Sequence, residues 1–502
     1  MTMSTALNSN ETLDLVRKAL GAPGSLDELR KAGITVSTGL VYFDLRTPAR
    51  SLYPVLTPLR NSIPRRQGRG GTAVNWRALT GINTTTLPAG VSEGNRNAVM
   101  SVTEANYVRA YAGLGMENYA SFEADYAAEN FDDVKAKAAL TALQALMIAE
   151  EYEILGGNTS LALGTTPTPT LTTSTTGGSI AATTTVSVIC VALTPDGYRY
   201  ASLAGGIKQT IARTNADGST DTINGGTAQA STNATIPTGA GSTNSVSASV
   251  AIVPGAAAYA WFVGLAGSEK IYAITTINSV LITALPGSGQ TAASLTATDF
   301  SKDGLMFDGL LTYGYNQSVN LGYFASQATG TPGTGTPLTT DGAGGILELN
   351  TMFQYYWNTW RLSPDEIWVH AQEQQNITKK IIANGGAPLI RLTTTATTGA
   401  EDISGGARVS EVINPITGQK VPLRVHPFMP AGTLLARVKQ LPPGTYPNSQ
   451  VADTVEIETR RDYYQLEWPL RSRKYEYGVY VDETPVVWAP FVMGVINNIA
   501  NG

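Results

Sequence analysis

The chain is 502 residues long, too long for one core, so roughly two to four domains are expected. Only 15% of its residues are charged and 51 are glycine, which points to a β-rich protein with long connections. A net charge of -5 gives no global attraction to nucleic acid or anionic membrane, and a single cysteine, Cys190, excludes a disulfide framework within the chain and any cysteine metal cluster.

Residues 1–45 read as an extended or partly helical arm, with Leu13, Val16 and Leu20 at helical spacing before the breaker "GAPG". No signal-peptide core is present there, and the longest apolar run, "VVWAPFVMGVI", is too short to cross a bilayer, so synthesis in the cytoplasm is expected. Residues 46–104 show no convincing helix and are punctuated by Pro48, Pro54, Pro58, Pro64 and Pro88. Between the prolines, the basic, glycine-rich "RRQGRGGTAVNWRALT" fits a long hairpin loop.

A rod follows. Leu140, Leu143, Met147 and Ile154 recur at spacings of three, four and seven, one face of an α-helix, with Ala138, Ala142, Ala145 and Ala149 beside them. Gly156 and Gly157 end it. Glu150, Glu151 and Glu153 crowd the negative end of its dipole, which costs stability unless basic groups meet them.

Residues 159–298 are charge-poor and rich in threonine. Val246, Ala248, Val250 and Ile252 alternate with small residues, and "TVSVICV", "AYAWFVGL", "KIYAITT" and "SVLITAL" are further strands, with turns at "PDG" and "NADG". A small β-sandwich is expected, joined to the rest through the linker-like "GTTPTPTLTTSTTGG" and "LPGSGQTAAS" with few contacts across the boundary. From Asp299 the chain is mixed α and β. "LELNTMFQYYWNTWRL" is an amphipathic helix, "EIWVH" a strand, and "AQEQQNITKKIIANGG" a helix capped by Gly385. "TLLARVKQL" puts Leu434, Ala436 and Val438 on one face and Arg437 and Lys439 on the other. Tyr475, Tyr477, Val479 and Val481 alternate on a final strand. "ATGTPGTGTPLTTDGAGG" and "TTTATTGAEDISGGA" read as loops.

Catalytic chemistry has few candidates. The two histidines, His370 and His426, stand beside nothing like a nucleophile elbow and read as structural. No P-loop occurs, and "LPGSGQTAAS" lacks its lysine. "NADGSTD" could offer Asn215, Asp217 and Asp221 to calcium but lacks the rest of a calcium loop, so a hairpin turn is favoured. No catalytic residue, cofactor or metal is therefore expected. Arg60, Arg65, Arg66, Arg69 and Arg77 share one turn-rich segment; Trp76 alone is weak support for nucleic-acid stacking, and a subunit-interface loop is the favoured reading. Arg65, Arg66 and Arg69 are expected to meet Glu150, Glu151 and Glu153 of a neighbouring subunit.

The order of these parts resembles the major capsid protein of tailed bacteriophages, the Hong Kong 97-type α+β fold. "AALTALQALMIAEEYEILGGN" resembles its spine helix, "KDGLMFDGLL" the segment that resumes after it, "PDEIWVHAQEQQNITKKI" the strand and helix of its axial domain, and "VPLRVHPFMPAGTLLARV" the strand pair that follows. The likeness covers everything but residues 159–298, which resemble the immunoglobulin-like or fibronectin-type domains displayed on some phage heads. It implies an N-terminal arm at 1–45, an extended-loop region at 46–104, a peripheral domain at 105–158, the insert at 159–298, an axial domain at 299–440, and peripheral strands and C-terminus at 441–502. It further implies hexamers and pentamers in a virion shell enclosing double-stranded DNA without sequence-specific binding, with a portal and a separate scaffolding protein. Some members crosslink through a lysine of the extended loop; residues 46–104 contain none, so that chemistry is expected to be absent. An encapsulin-like compartment shell is the alternative. A surface adhesin is a weaker one, because neither a signal peptide nor tandem repeats are present.

Overall fold

The computed structural model describes residues 53–68, 70–129, 133–383, 391–394, 401–404, 408–442 and 453–502. The chain forms two compact units, Met1–Pro54 with Ala127–Asp133, and Val55–Tyr126 with Val134–Gly502. The elements below belong to the second. The expected arm and the Gly385 cap lie outside the described residues.

Two long strands, Val455–Glu467 and Lys474–Val487, form an antiparallel ribbon. Ala112–Ser121 pairs along one edge, antiparallel, and Arg65–Gln67 along the other, parallel. The rod helix, Val134–Gly156, packs on this sheet. Its buried face overlaps the expected row only in part: Ile154 is buried and Leu143 packs against the core. Ala138, Ala142 and Leu146 are buried, whereas Leu140 is 49% exposed. Alanine wins because its small side chain lets the rod lie close to the sheet, where Ala138 meets Ala120 and Tyr477. From Glu150 to Gly156 every residue of the rod is buried.

A six-stranded mixed sheet runs in the order 323–326, 493–497, 434–437, 366–369, 420–425 and 411–413. The chain end therefore leaves the ribbon and returns to this sheet as Met493–Asn497. Helix Leu347–Trp360 lays Leu349, Met352, Phe353 and Tyr356 onto the core, and helix Ala371–Ala383 buries Ile377. "TLLARVKQL" does not present its basic face to water. Arg437 is fully buried, with Nη2 2.9 Å from Glu366, which also meets Arg424 and Lys439. The stretch read as a loop at 393–407 contributes to a hairpin, Arg391–Thr394 with Glu401–Ser404.

Within 159–298, one sheet orders Ser279–Ile282, Ser245–Ser249 and Thr170–Ser174; another orders Lys270–Thr275, Ala258–Gly264, Thr185–Leu193 and Ala234–Pro237. Val246, Ala248, Val280 and Ile282 of the first meet Val188, Cys190, Tyr259, Trp261 and Val263 of the second in one core. Val191, Leu193, Ala260 and Phe262 point the other way into a second cluster. Burial on both faces explains why these two strands read as continuous apolar runs rather than alternations. "NADG" is the turn of the hairpin Thr210–Thr214 and Thr220–Asn224. "PDG" is no turn: Pro195–Tyr200 is a short helix whose Gly197 N–H donates to the Thr194 side chain.

The insert is not loosely hung. Its ends are close, with the Leu163 N–H donating to Ser301 Oγ and Gly164 to Asp299. The linker-like stretches carry structure, strand Thr170–Ser174 in one and a 3-10 turn at Ala292–Ser294 in the other. Asn278 and Asn498 exchange two hydrogen bonds of 2.8 and 3.1 Å. The Gly333 N–H donates to Ser279 Oγ, and Tyr152 donates to the Pro195 carbonyl. Expecting few contacts across the boundary is thus corrected. Asparagine, serine and aspartate, weak markers of a core, dock the insert through buried and part-buried hydrogen bonds.

Candidate assembly element and its fastening

The strands Ala73–Ile82 and Val102–Ala110 form a hairpin that no third strand joins among the described residues. Asn83 closes its neck: its N–H donates to the Ser101 carbonyl at 2.7 Å, and its side chain exchanges bonds with Leu87. Beyond the neck, residues 83–101 hold no helix or strand. Ile82, Val91, Val99, Met100, Val102 and Val108 are exposed, Val99 at 96%. Only the base is packed. Trp76 stacks on Tyr107 at 5.5 Å and meets the edge of Trp488, while Arg109 reaches Asp308 at 3.4 Å.

The chain before the hairpin is fastened to the acidic end of the rod. Residues 46–104 were expected to lack a helix, yet Pro58–Ser62 forms one, with proline at its start where the missing N–H is harmless. Glu151 accepts the backbone N–H groups of Leu59 at 2.8 Å and Arg60 at 2.7 Å. A carboxylate at a helix start satisfies free amides and the dipole together. His426 holds the same carboxylate at 2.6 Å; its Nδ1 accepts from the Phe428 N–H, so Nε2 carries the proton.

Glu150 meets Arg60 at 2.8 Å and Arg65 at 2.5 Å, and accepts from the Tyr463 hydroxyl. Arg65 also reaches Glu483 at 2.6 Å and Asp462 at 3.1 Å. Burial, then the nearby Glu150, pushes the Glu483 carboxyl up to about 8. Burial opposes the Arg65 charge, but Glu483 and Glu150 outweigh it and hold the guanidinium above its ordinary value. Arg66 lies 3.8 Å from both Glu456 and Glu458. Glu153 has Arg199 at 3.8 Å. Arg69 lies outside the described residues.

The arginine-to-rod pairing was expected between subunits; for Arg65 and Glu150 it is made inside one chain. Basic groups do meet the rod's acidic end, which removes the dipole objection. Sequence reasoning missed Arg60, Tyr463, His426 and Glu483 as members. Glu483 left a trace, because it continues the buried face of Tyr477, Val479 and Val481 with a carboxylate. Both histidines are engaged structurally; His370 Nδ1 accepts the Gln372 N–H. No group of three or more His, Cys, Asp or Glu residues is placed to hold a metal ion among the described residues. No helix there is long and apolar enough to cross a membrane.

The sequence matches no protein-family model and no curated protein. Among solved structures, the chain is similar to the capsid of cyanophage A-1(L), with 10% identity, a TM-score of 0.41, and 92% of this chain and 98% of that one covered. It is similar to the capsid of Myoviridae phage XM1, with 10% identity, a TM-score of 0.38, and coverage of 92% and 98%. Similarity to the SrpI encapsulin of Synechococcus elongatus, with 15% identity and a TM-score of 0.23, covers 38% of this chain and 57% of that one.

Proposed function

We propose that this chain is the major capsid protein of a tailed bacteriophage, a structural subunit that tiles an icosahedral virion shell around double-stranded DNA. The observation that carries this reading is the hairpin of residues 73–110, which exposes apolar side chains along a ribbon without a core of its own. An isolated two-stranded hairpin is marginal in water, and such a surface is usually covered by a partner. The natural cover is the next copy of this chain, repeated around closed rings. Arg65, Arg66, Glu150 and Glu151 then serve the contact indirectly, by fixing the direction in which the hairpin leaves its own subunit. Scaffold, portal and DNA are further partners in this reading, none through a sequence-specific site.

The test is assembly. Full-length protein, alone or with its scaffold, is expected to give shells or rings by negative-stain imaging. Replacing residues 84–100 with a two-residue Asn-Gly turn should leave a folded chain that no longer assembles. A stable monomer at high concentration with scaffold present, or normal shells from the shortened chain, would overturn the proposal.

A further inference from the structure

A cavity of about 840 Å³ lies between the insert and the rest of the unit. Three carboxylates from three separate segments line it: Glu153 from the last turn of the rod, Asp196 from the short insert helix, and Asp303 from the segment that returns after the insert. Glu153 is 4% exposed and Asp196 9%, and one oxygen of each, Glu153 Oε2 and Asp196 Oδ1, has no hydrogen-bond partner. Asp303 Oδ1 accepts the Leu305 N–H. Arg199 is the nearest cation, 3.8 Å from Glu153, and its guanidinium also lies over the Tyr152 ring at 4.1 Å.

The other charged or titratable groups facing this cavity are Tyr152 and Tyr200 on the two helices, Arg213 and Asp221 on the insert hairpin, Asp308 after the return, and Arg109 and Tyr111 at the base of the long hairpin. Most are already committed. Arg213 is bound to Asp221 at 2.7 Å, and Arg109 is 3.4 Å from Asp308. Asp308 also accepts the Thr159 and Ser160 N–H groups. Arg199 beside Glu153 and Asp196, and at longer range Arg213 toward Asp303, are left to balance three buried carboxyls. Such a group relieves desolvation by keeping protons.

We propose that Glu153, Asp196 and Asp303 form a proton-operated latch, which docks the insert on the rod end when protonated and releases it as the carboxyls ionise. The three residues sit where the insert is anchored, beside the Tyr152 to Pro195 bond and the Phe300 strand contacts with Gly226 and Thr227. Ionisation places like charges at the junction, and opening is the movement that hydrates them. Burial raises all three carboxyls, Asp196 to about 7 and Glu153 well above the usual range. A carboxyl raised in the docked state binds its proton more tightly there than in the open state. Docking is therefore strongest at acid pH and weakens from about pH 4 upward through about 7.

The experiment is hydrogen exchange on the full-length chain from pH 5 to 8, corrected for the intrinsic pH dependence of exchange. The Gly226 and Phe300 amides report on the junction, and Cys190 and Trp261 amides on the insert core. Junction opening should rise between pH 5 and 7 by up to about tenfold per pH unit for each carboxyl that ionises on opening, while the core amides stay flat. Glu153→Gln with Asp196→Asn should flatten the junction profile. A flat wild-type profile, or an unchanged slope in the double variant, would overturn the latch. Should the double variant not fold, Arg199→Gln gives an independent arm. Loss of the cation nearest Glu153 and Asp196 should move the transition to higher pH, and an unchanged or lower transition would equally overturn it.

Discussion

Three glutamates within four residues of one helix have three different fates, and the difference lies in what approaches them. Glu150 is held by two guanidinium groups, Glu151 starts another helix, and Glu153 is left to one distant arginine. Their excess of negative charge was legible in the sequence, and so was Arg65 as a partner; Arg60, Tyr463 and His426 were not read as partners, the last two because they come from segments hundreds of residues away. Arg65 is central to the first of these sites. Arg65→Ala leaves Glu150 and Glu483 buried with too little positive charge, and should cost about 3–5 kcal/mol in denaturant unfolding of the unassembled chain. Arg65→Lys should restore little of this, since an ammonium cannot reach two carboxylates as a planar fork does. Glu483 adds a pH signature. Its proton is held better in the folded chain than in the unfolded one, so its contribution is fullest at acid pH and is lost as pH rises through about 8. Glu483→Gln should remove that slope from a plot of unfolding midpoint against pH; a slope that persists would exclude this assignment.

The elements were read best where one face meets solvent and the other a core. Helix Leu347–Trp360 and the ribbon strand Lys474–Val487 follow their periodicities. The reading failed where that premise fails. The rod buries Ala138 against Ala120 and Tyr477, and a hydrophobicity pattern ranks such an alanine below the leucines beside it. "PDG" was read as a turn on the strength of Gly197, whereas Thr194 and Pro195 start a helix there. The glycine is there for another reason, since a Cβ on it would lie 2.2 Å from the Gly226 carbonyl. Residues 159–298 were read as a separate piece; they hold two apolar clusters of their own, but their composition hid how firmly they dock. Excision defines the two parts. Joining Gly164 directly to Asp299, residues already bonded to each other, should give a chain that folds and assembles with a lowered unfolding temperature. The fragment 165–298 should fold alone, with the cooperative melting and near-ultraviolet dichroism of a packed Trp261. An unfolded fragment together with a chain that fails to assemble would make the insert part of the principal fold.

For the whole molecule, the proposed shell has to be strong without covalent help from its long hairpin. Residues 46–104 contain no lysine, and Cys190, the one cysteine, is buried in the insert. Boiled, denatured particles are expected to run as a single band near 52.9 kDa, and a ladder under reducing conditions would contradict this. Strength then depends on how force enters each subunit. Strand Arg65–Gln67, just before the hairpin, lies parallel to Ile457–Thr459 at the sheet edge. When a neighbour tugs on the hairpin along this strand, its backbone bonds are sheared together, and the ionic contacts of Arg65 are stretched in the same instant. When the tug comes across the strand, the same bonds open one at a time. The attachment is thus stiff to tension along the strand and soft to peeling away from it.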